Sequence, residues 1–402
     1  MAEGVAFYLL MHQPWRFRLQ DNGAATLSER LFDDELNGKY FRGVAARSYR
    51  PMLRLLQALL AEGLEVNLGL SWTFWEQAHK YTPDLVPELR AVLQHPGVEL
   101  VGVEPYHSVL PLVDIGLFRR RMRWMRATWA RELGKTVRVT DTTEMFYSDP
   151  IYWALAAEGF EAMVIDGRPQ VVGTESPFGR YAGPGPLSVI ARHWRLSDDV
   201  GYRFSNREWD GYPLMAPTYA DWIRQAPGDV VMVGWDFETF GEHHRDHTGI
   251  FEFFARLPRE LAAQGVRTVR FQDILERPAH GRLTPPLRPT TWAGQGDISF
   301  FLGNARQWDL FCRMQGVLAK AQMARRAAWL DLALRLMQSD HLHMLHWDSA
   351  WGPEADVSMY FTPGEWWELG RAAIIAGLVD VFERMSRALD GALSGESRTE
   401  AR

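Results

Sequence analysis

Eight short apolar runs recur along the chain, at 5–10, 64–70, 98–103, 137–140, 162–166, 187–191, 230–235 and 266–271, separated by stretches with helical spacing of apolar residues. A run that is apolar throughout, such as Val230-Val231-Met232-Val233-Gly234-Trp235, predicts a strand covered on both faces, as in a parallel sheet with helices outside it. The intervening "RPMLRLLQALLAEG" carries apolar residues at helical spacing and stops on Gly63, while "SDPIYWALAAEGF" offers Ser148 and Asp149 ahead of Pro150 as a helix start. Strands alternating with helices predict an α/β chain, and seven or eight such units favour a barrel over an open sheet.

Beyond Phe271 the pattern changes. "ERPAHGRLTPPLRPTTWAGQGD" is dense in Pro and Gly, as a linker or surface excursion should be, and the chain then turns Ala-, Leu- and Arg-rich with helical periodicity. The expected organisation is a barrel over 1–275, a linker or excursion over 276–300 and a C-terminal α-helical domain over 301–392, with the final "SGESRTEAR" frayed. There is no internal repeat and no low-complexity block.

Composition narrows the partners. The 402 residues carry a mild net charge of −6, and the basic side chains, mostly Arg, form no basic block. Nucleic acid and anionic membrane are therefore not expected partners. The start "MAEGVAFYLLMHQPW" lacks a signal peptide's charged and long apolar regions, and no segment has the roughly 18 uninterrupted apolar residues of a span. A soluble, cytoplasmic protein is expected. The single cysteine, Cys312, cannot form an internal disulfide and is expected to be a small buried residue. Nothing in the pattern sets an oligomeric state.

Four strand ends carry polar clusters. The first run leads into His12-Gln13-Pro14-Trp15, the third surrounds Glu99 and leads to Glu104 and His107, the fourth gives "RVTDTTEMFYSD" with Glu144, and the seventh gives Asp236 and Glu238. One acidic residue at such a place is equally a capping or surface group, but parallel barrels hold their chemistry where strands finish. Trp15, Trp72, Trp75, Phe146, Trp194, Trp235 and Trp347 lie near these places, among 17 Trp in all. Each can pack in a core or offer a face to a sugar ring. Carboxylates beside aromatic surface, with few cations, point to glycoside chemistry, in which one carboxylate attacks the anomeric carbon and a protonated one serves the leaving oxygen.

These motifs resemble glycoside hydrolase family 57, and its α-amylase-like branch in particular. "HQP" at 12–14, "GVELV" with His107 eight residues after Glu99, "TTEMFYSD", "WDFETFGEH" and "SDHLHMLHW" are similar to the family's five motifs, in order. "RLSDDVGYRFS", "GDISFFLGNARQ" and "EADVSMYFTP" extend the similarity over almost the whole chain. The resemblance implies an incomplete (β/α)7 TIM-like barrel followed by a C-terminal α-helical domain, and a retaining mechanism on an α-glucan polysaccharide or maltooligosaccharide, with no cofactor and no metal.

Carried over residue by residue, the resemblance makes Glu144 the nucleophile and Asp236 the general acid/base. It assigns His12, Glu99, His107, Glu238 and Asp340 to holding the sugar, with Trp347 added from its position, and Glu99 alternatively orients a neighbouring side chain or loop. Thr142-Thr143-Glu144-Met145 and Glu104-Pro105-Tyr106-His107 depart from the branch's usual residues, which bears on subsite preference. The charge of Glu144 favours a protonated Asp236, and retention requires the two carboxyls roughly 5–5.5 Å apart.

The same pair serves hydrolysis and transfer to a sugar acceptor. Transferases and branching enzymes of the family usually carry more chain, which favours amylase-like hydrolysis. Metal-dependent deacetylation competes through "GEHHRDH", where His243 and His247 would share a face if the segment were helical. A non-catalytic or weakly active glucan-binding protein is the third reading.

Overall fold

The computed structural model describes residues 1–348 and 362–395. The final residues expected to fray, from 396 onward, and most of "EADVSMYFTP" lie outside the described residues. The chain divides into two compact units: residues 1–13, 40–105 and 115–292, and residues 14–39, 106–114 and 293 onward.

The first unit is a nearly closed parallel barrel, the incomplete (β/α)7 architecture expected. Its strands are β1 (Gly4–Met11), β2 (Val66–Leu70), β3 (Val98–Val101), β4 (Val139–Thr140), β5 (Ala162–Asp166), β6 (Arg180–Ala182), β7 (Ser188–Arg192), β8 (Val230–Asp236) and β9 (Arg267–Thr268). Seven of them run in the order β3-β2-β1-β8-β7-β5-β4. β1 is buried along its whole length because it is covered on both faces and lies between β8 and β2, which is why its sequence does not alternate.

Two seams are thin. Arg192 opposite Met232 is the register pair that joins β7 to β8. Between β3 and β4 the ring closes through Gly102 N donating to the Val139 carbonyl (2.9 Å) and Asp141 N donating to the Gly102 carbonyl (2.6 Å).

At the N-terminal end of the barrel, β9 pairs with the first residues of β1 rather than forming a full staple, and Phe271 and Ile274 enter the interior cluster behind it. Buried Asn67 on β2 secures this plug: its amide donates to the Phe7 carbonyl (2.9 Å) and its oxygen accepts from Phe271 N (2.7 Å). β6, antiparallel to β7, is too short and too closely flanked by Gly to have stood out in the hydrophobic pattern.

The second unit is helical in its C-terminal part. Helix Ala305–Ala324 begins with a capping box on Asn304 and Gln307 and packs on helix Arg371–Ser394, each burying one apolar stripe that includes Met314 and Val317 on the first and Leu378 and Val381 on the second. Cys312 corrects an expectation: it is exposed, because Leu310, Phe311, Met314 and Val317 take the buried stripe of that helix and position 312 falls outside it. Residues 14–39 join this unit, where Trp15 N donates to the Gln338 side chain (2.8 Å). Among the described residues no helix is long and apolar enough to cross a membrane.

Candidate active site

Because the barrel strands are parallel, their C-terminal ends share one rim, and there the sequence has put its acids. Asp236 closes β8 directly opposite Leu10 of β1, and His12 follows the end of that strand. Glu144 follows β4 on a turn whose residues Glu144 and Met145 both have left-handed φ, 53° each. Non-glycine residues rarely adopt this conformation, and when two do so in succession the surroundings must impose it.

The imposing contacts come from residues 291–292. Thr291 Oγ1 donates to the Glu144 carbonyl (2.7 Å), Trp292 N to the same carbonyl (3.2 Å), and Trp292 Nε1 to the Glu144 carboxylate (2.7 Å). Trp292 is itself fixed, since Arg168 donates to its carbonyl (3.2 Å) and the Arg192 guanidinium lies 5.5 Å from its ring centre.

Arg192 continues the network toward Asp236. Fully buried, it donates to Asp166 (2.9 Å), Asp198 (2.8 Å) and the Gly234 carbonyl (3.0 Å), while Arg168 donates to the other oxygen of Asp166 (2.8 Å). One charge-paired chain thus runs from the Glu144 turn to the last residues of β8. Glu144 and Asp236 are both half-buried and therefore open to a ligand.

Trp292 was missed because its surroundings, "RPTTWAGQG", look like a linker; the signal that could have found it is a lone large aromatic within a Pro- and Gly-rich stretch. Trp292→Phe keeps the ring and removes the N–H that favours the ionised carboxylate. A charge-assisted bond of this kind is worth about 1.5–3 kcal/mol, so kcat/KM should fall about 10- to 100-fold and the acid limb of its pH profile should move to higher pH. An unchanged acid limb would remove Trp292 from this role.

Glu238 is buried beside Asp236. Its Oε1 accepts from the Tyr49 hydroxyl, its carboxylate also bonds the Gln13 side chain, and burial followed by the charge of Asp236 pushes its pKa up to about 8. Tyr49 ends a five-residue π-helical segment, Ala45–Tyr49, an irregularity common at functional sites. His12 is held by Ser71 Oγ (2.8 Å) and Thr73 Oγ1 (3.2 Å).

His107 and Asp340 meet within the second unit. His107 has φ 52°, its carbonyl accepts from Ser339 N (3.0 Å), and one of its ring nitrogens lies within 4.8 Å of an Asp340 carboxylate oxygen. Trp347, in the same unit, is buried against Trp367 and under the Arg371 guanidinium, as a core residue would be. Trp15, Trp75, Phe146 and Trp235 are likewise buried; Trp235 stacks on Phe7 and donates to the Ser197 carbonyl (2.7 Å).

Glu99 does not join the rim. It lies near the start of β3, with inward-facing Val101 and Val103 between it and the strand's far end, and it accepts from Gln272 N (2.7 Å) in the plug helix. A sugar-holding role does not fit this position, because a parallel strand presents its first residues to the opposite end of the barrel; orienting a neighbouring segment does.

Burial pushes the Glu99 carboxyl up to about 7, against an ordinary value of 4.5. The folded acid therefore keeps a proton that the unfolded one has lost, so its contribution is complete below about pH 4.5 and is lost as pH rises through 7. Glu99→Gln should remove a penalty of about 3 kcal/mol at pH 8, raising the melting temperature by roughly 5 °C or more there, with little change at pH 4.5. Equal effects at both pH values would contradict an ionisation penalty.

The histidines of "GEHHRDH" are not on one helix. Residues Phe237–Thr239 and Asp246–Thr248 form separate 3-10 turns, so the i, i+4 face imagined for His243 and His247 does not exist. His244 is engaged with Ser205 Oγ (2.7 Å) and the Gly201 carbonyl (3.1 Å). Among the described residues, no group with metal-ligand spacing includes any of these three.

The family model described as Glycosyl hydrolase family 57 matches residues 6–286, well over half of the chain. A Methanocaldococcus jannaschii protein described as "Putative alpha-amylase" is 32% identical over 320 residues, covering 78% of this chain and 68% of that protein. The branching enzyme of Pyrococcus horikoshii superposes with a TM-score of 0.68 at 13% identity, over 98% of this chain and 92% of its own. The 4-α-glucanotransferase of Thermococcus litoralis does so with a TM-score of 0.66 at 15% identity, over 96% of this chain; the chain spans about 60% of that enzyme's length. At such identities the two structures share the fold.

Proposed function

The chain belongs to glycosyl hydrolase family 57, and from that premise we propose that it is a retaining hydrolase of α-glucans, acting on α-1,4 bonds with Glu144 as nucleophile and Asp236 as general acid/base. The observation that carries the reading is the treatment of the two carboxylates. Glu144 is held in a strained turn and takes an N–H from Trp292, which favours its ionised form, while Asp236 stands within electrostatic reach of Glu238 and Asp141, so the three acids cannot all ionise together and Asp236 competes with them for a proton.

In the first step Glu144 attacks the anomeric carbon as Asp236 gives its proton to the departing glycosidic oxygen. The charge of Glu144 is then consumed in the ester, and Asp236, less inclined to hold a proton, takes one from the water that releases the sugar. Glu238, protonated below about pH 8, can donate to a sugar hydroxyl without adding a second charge beside Asp236. His12, His107 and Asp340 are proposed sugar-holding groups. The amylase description of the 32%-identical relative supports an α-glucan or maltooligosaccharide as substrate. We place the reaction in the cytoplasm, in keeping with an exposed, unpaired cysteine.

Incubation of the purified protein with reduced amylose and maltooligosaccharides, following new reducing ends and product lengths, tests this. Release of reducing ends supports hydrolysis. Redistribution of chain lengths or new branches would make a sugar the acceptor, and no reaction would sink the α-glucan assignment.

A further inference from the structure

Beneath the rim, a second pair of ionisable groups lies wholly inside the barrel. Tyr8 of β1 and Asp141, the first residue beyond β4, are both fully buried, and the Tyr8 hydroxyl donates to Asp141 Oδ2 at 2.8 Å. β1 and β4 are three steps apart in one direction round the ring and four in the other, so this bond crosses the interior. Space for it is built in: a Cβ on Gly69 of β2 would lie 2.5 Å from the Tyr8 hydroxyl oxygen.

Asp141 is connected in three directions at once. Its backbone N–H makes the seam bond to Gly102, its Oδ1 accepts from Thr142 N (2.6 Å), and it feels the charge of Asp236, which stands on β8 two residues beyond Gly234, the residue opposite Tyr8. Three residues further on stands Glu144. We propose that Asp141, held by Tyr8, is a positioning residue for both carboxylates of the reaction: it fixes the turn that presents Glu144 and supplies a charge that adjusts the proton affinity of Asp236. The inference rests on the assignment of those two acids above.

The electrostatic part follows from the groups present. Asp141 is faced by Tyr8 from β1 and by Asp236 from β8. Asp236 is faced by Tyr8, by Asp141, by Glu238 in its own turn and by Tyr202 beyond helix Trp194–Gly201. Burial pushes Asp141 up to about 7 against the opposing bonds from Tyr8 and Thr142 N. The coupling is mutual: where Asp236 is protonated, an ionised Asp141 raises its proton affinity and so helps it keep the proton that the first step needs. The device extends activity on the alkaline side.

Asp141→Asn, isosteric and uncharged, should move the alkaline limb of kcat/KM on maltooligosaccharides to lower pH by about half a unit or more. Tyr8→Phe removes the bond that favours ionised Asp141, so it should shift the limb in the same direction by less. A lower kcat with an unmoved limb in both variants would mean a merely structural pair and overturn the proposal. Infrared difference titration of the carboxyl band decides the matter independently of turnover. A step near pH 7, absent from Asp141→Asn and displaced to lower pH in Asp236→Asn, is expected, and a step unaffected by Asp236→Asn would refute the coupling even if the protein acted on another substrate. If the wild type fails on glucans while that displaced step is seen, the substrate assignment fails and the coupling of Asp141 to Asp236 stands.

Discussion

Glu144→Gly is expected to lower turnover of maltooligosaccharides by about ten-thousand-fold, since in the proposed mechanism this residue forms the bond that divides the reaction into two easier steps. Glycine suits the site because φ at position 144 is 53°, a conformation that costs glycine nothing, so the loss should not come from a misfolded turn. Added azide should fill the space left by the carboxylate, attack the anomeric carbon from the same side and restore part of the activity. Asp236 would still protonate the departing oxygen, and the product would be the β-glycosyl azide. Undiminished turnover would remove Glu144 from the nucleophile's position, and an α-azide would contradict a retaining mechanism.

The second large effect belongs to Asp236. A general acid contributes about 10²- to 10⁴-fold, and Asp236→Ala should lose that much on amylose, whose leaving hydroxyl is poor. With an aryl α-maltoside whose phenol departs without a proton, the first step should survive nearly intact and the glycosyl-enzyme should accumulate, because the base for its hydrolysis is missing. A burst of phenol followed by slow turnover is the expected record. Equal losses on both substrates would show that Asp236 holds the sugar and transfers no proton to the leaving group.

These two effects depend on an arrangement that separates otherwise similar acids. The Glu144 carboxylate receives the Trp292 Nε1–H, which favours its ionised form, whereas Asp236, Glu238 and Asp141 are electrostatically coupled and cannot all be charged together. Asp166 and Asp198 instead share the Arg192 guanidinium as ion-pair partners. The same residue type therefore serves as a charge carrier, a proton holder or an ion-pair partner according to its neighbours.

Much of this was legible in the chain. Parallel strands are long in apolar residues because both their faces are covered, so β1, β2, β5 and β8 stood out, and the acids directly after β4 and β8 marked a rim. β6, three residues long, carries too little pattern to read, and of the run expected over 266–271 only Arg267–Thr268 forms a strand. Glu99 misled because its neighbours in sequence belong to a strand that also points at the site; only the strand's direction shows that it starts at the far end. Trp292 hid for the opposite reason, as its local composition is that of a loop.

The sequence by itself determined the period of the main elements, the parallel α/β architecture and the placing of acidic residues at strand ends, since all of these depend on residues close together in the chain. The tertiary structure alone decided the pairings across long separations: Trp292 with Glu144, Tyr49 with Glu238, Tyr8 with Asp141, and residues 14–39 and 106–114 with the C-terminal unit. Such pairings follow from barrel closure and the registers it imposes, and closure brings together groups more than a hundred residues apart that carry no mutual signal in the chain.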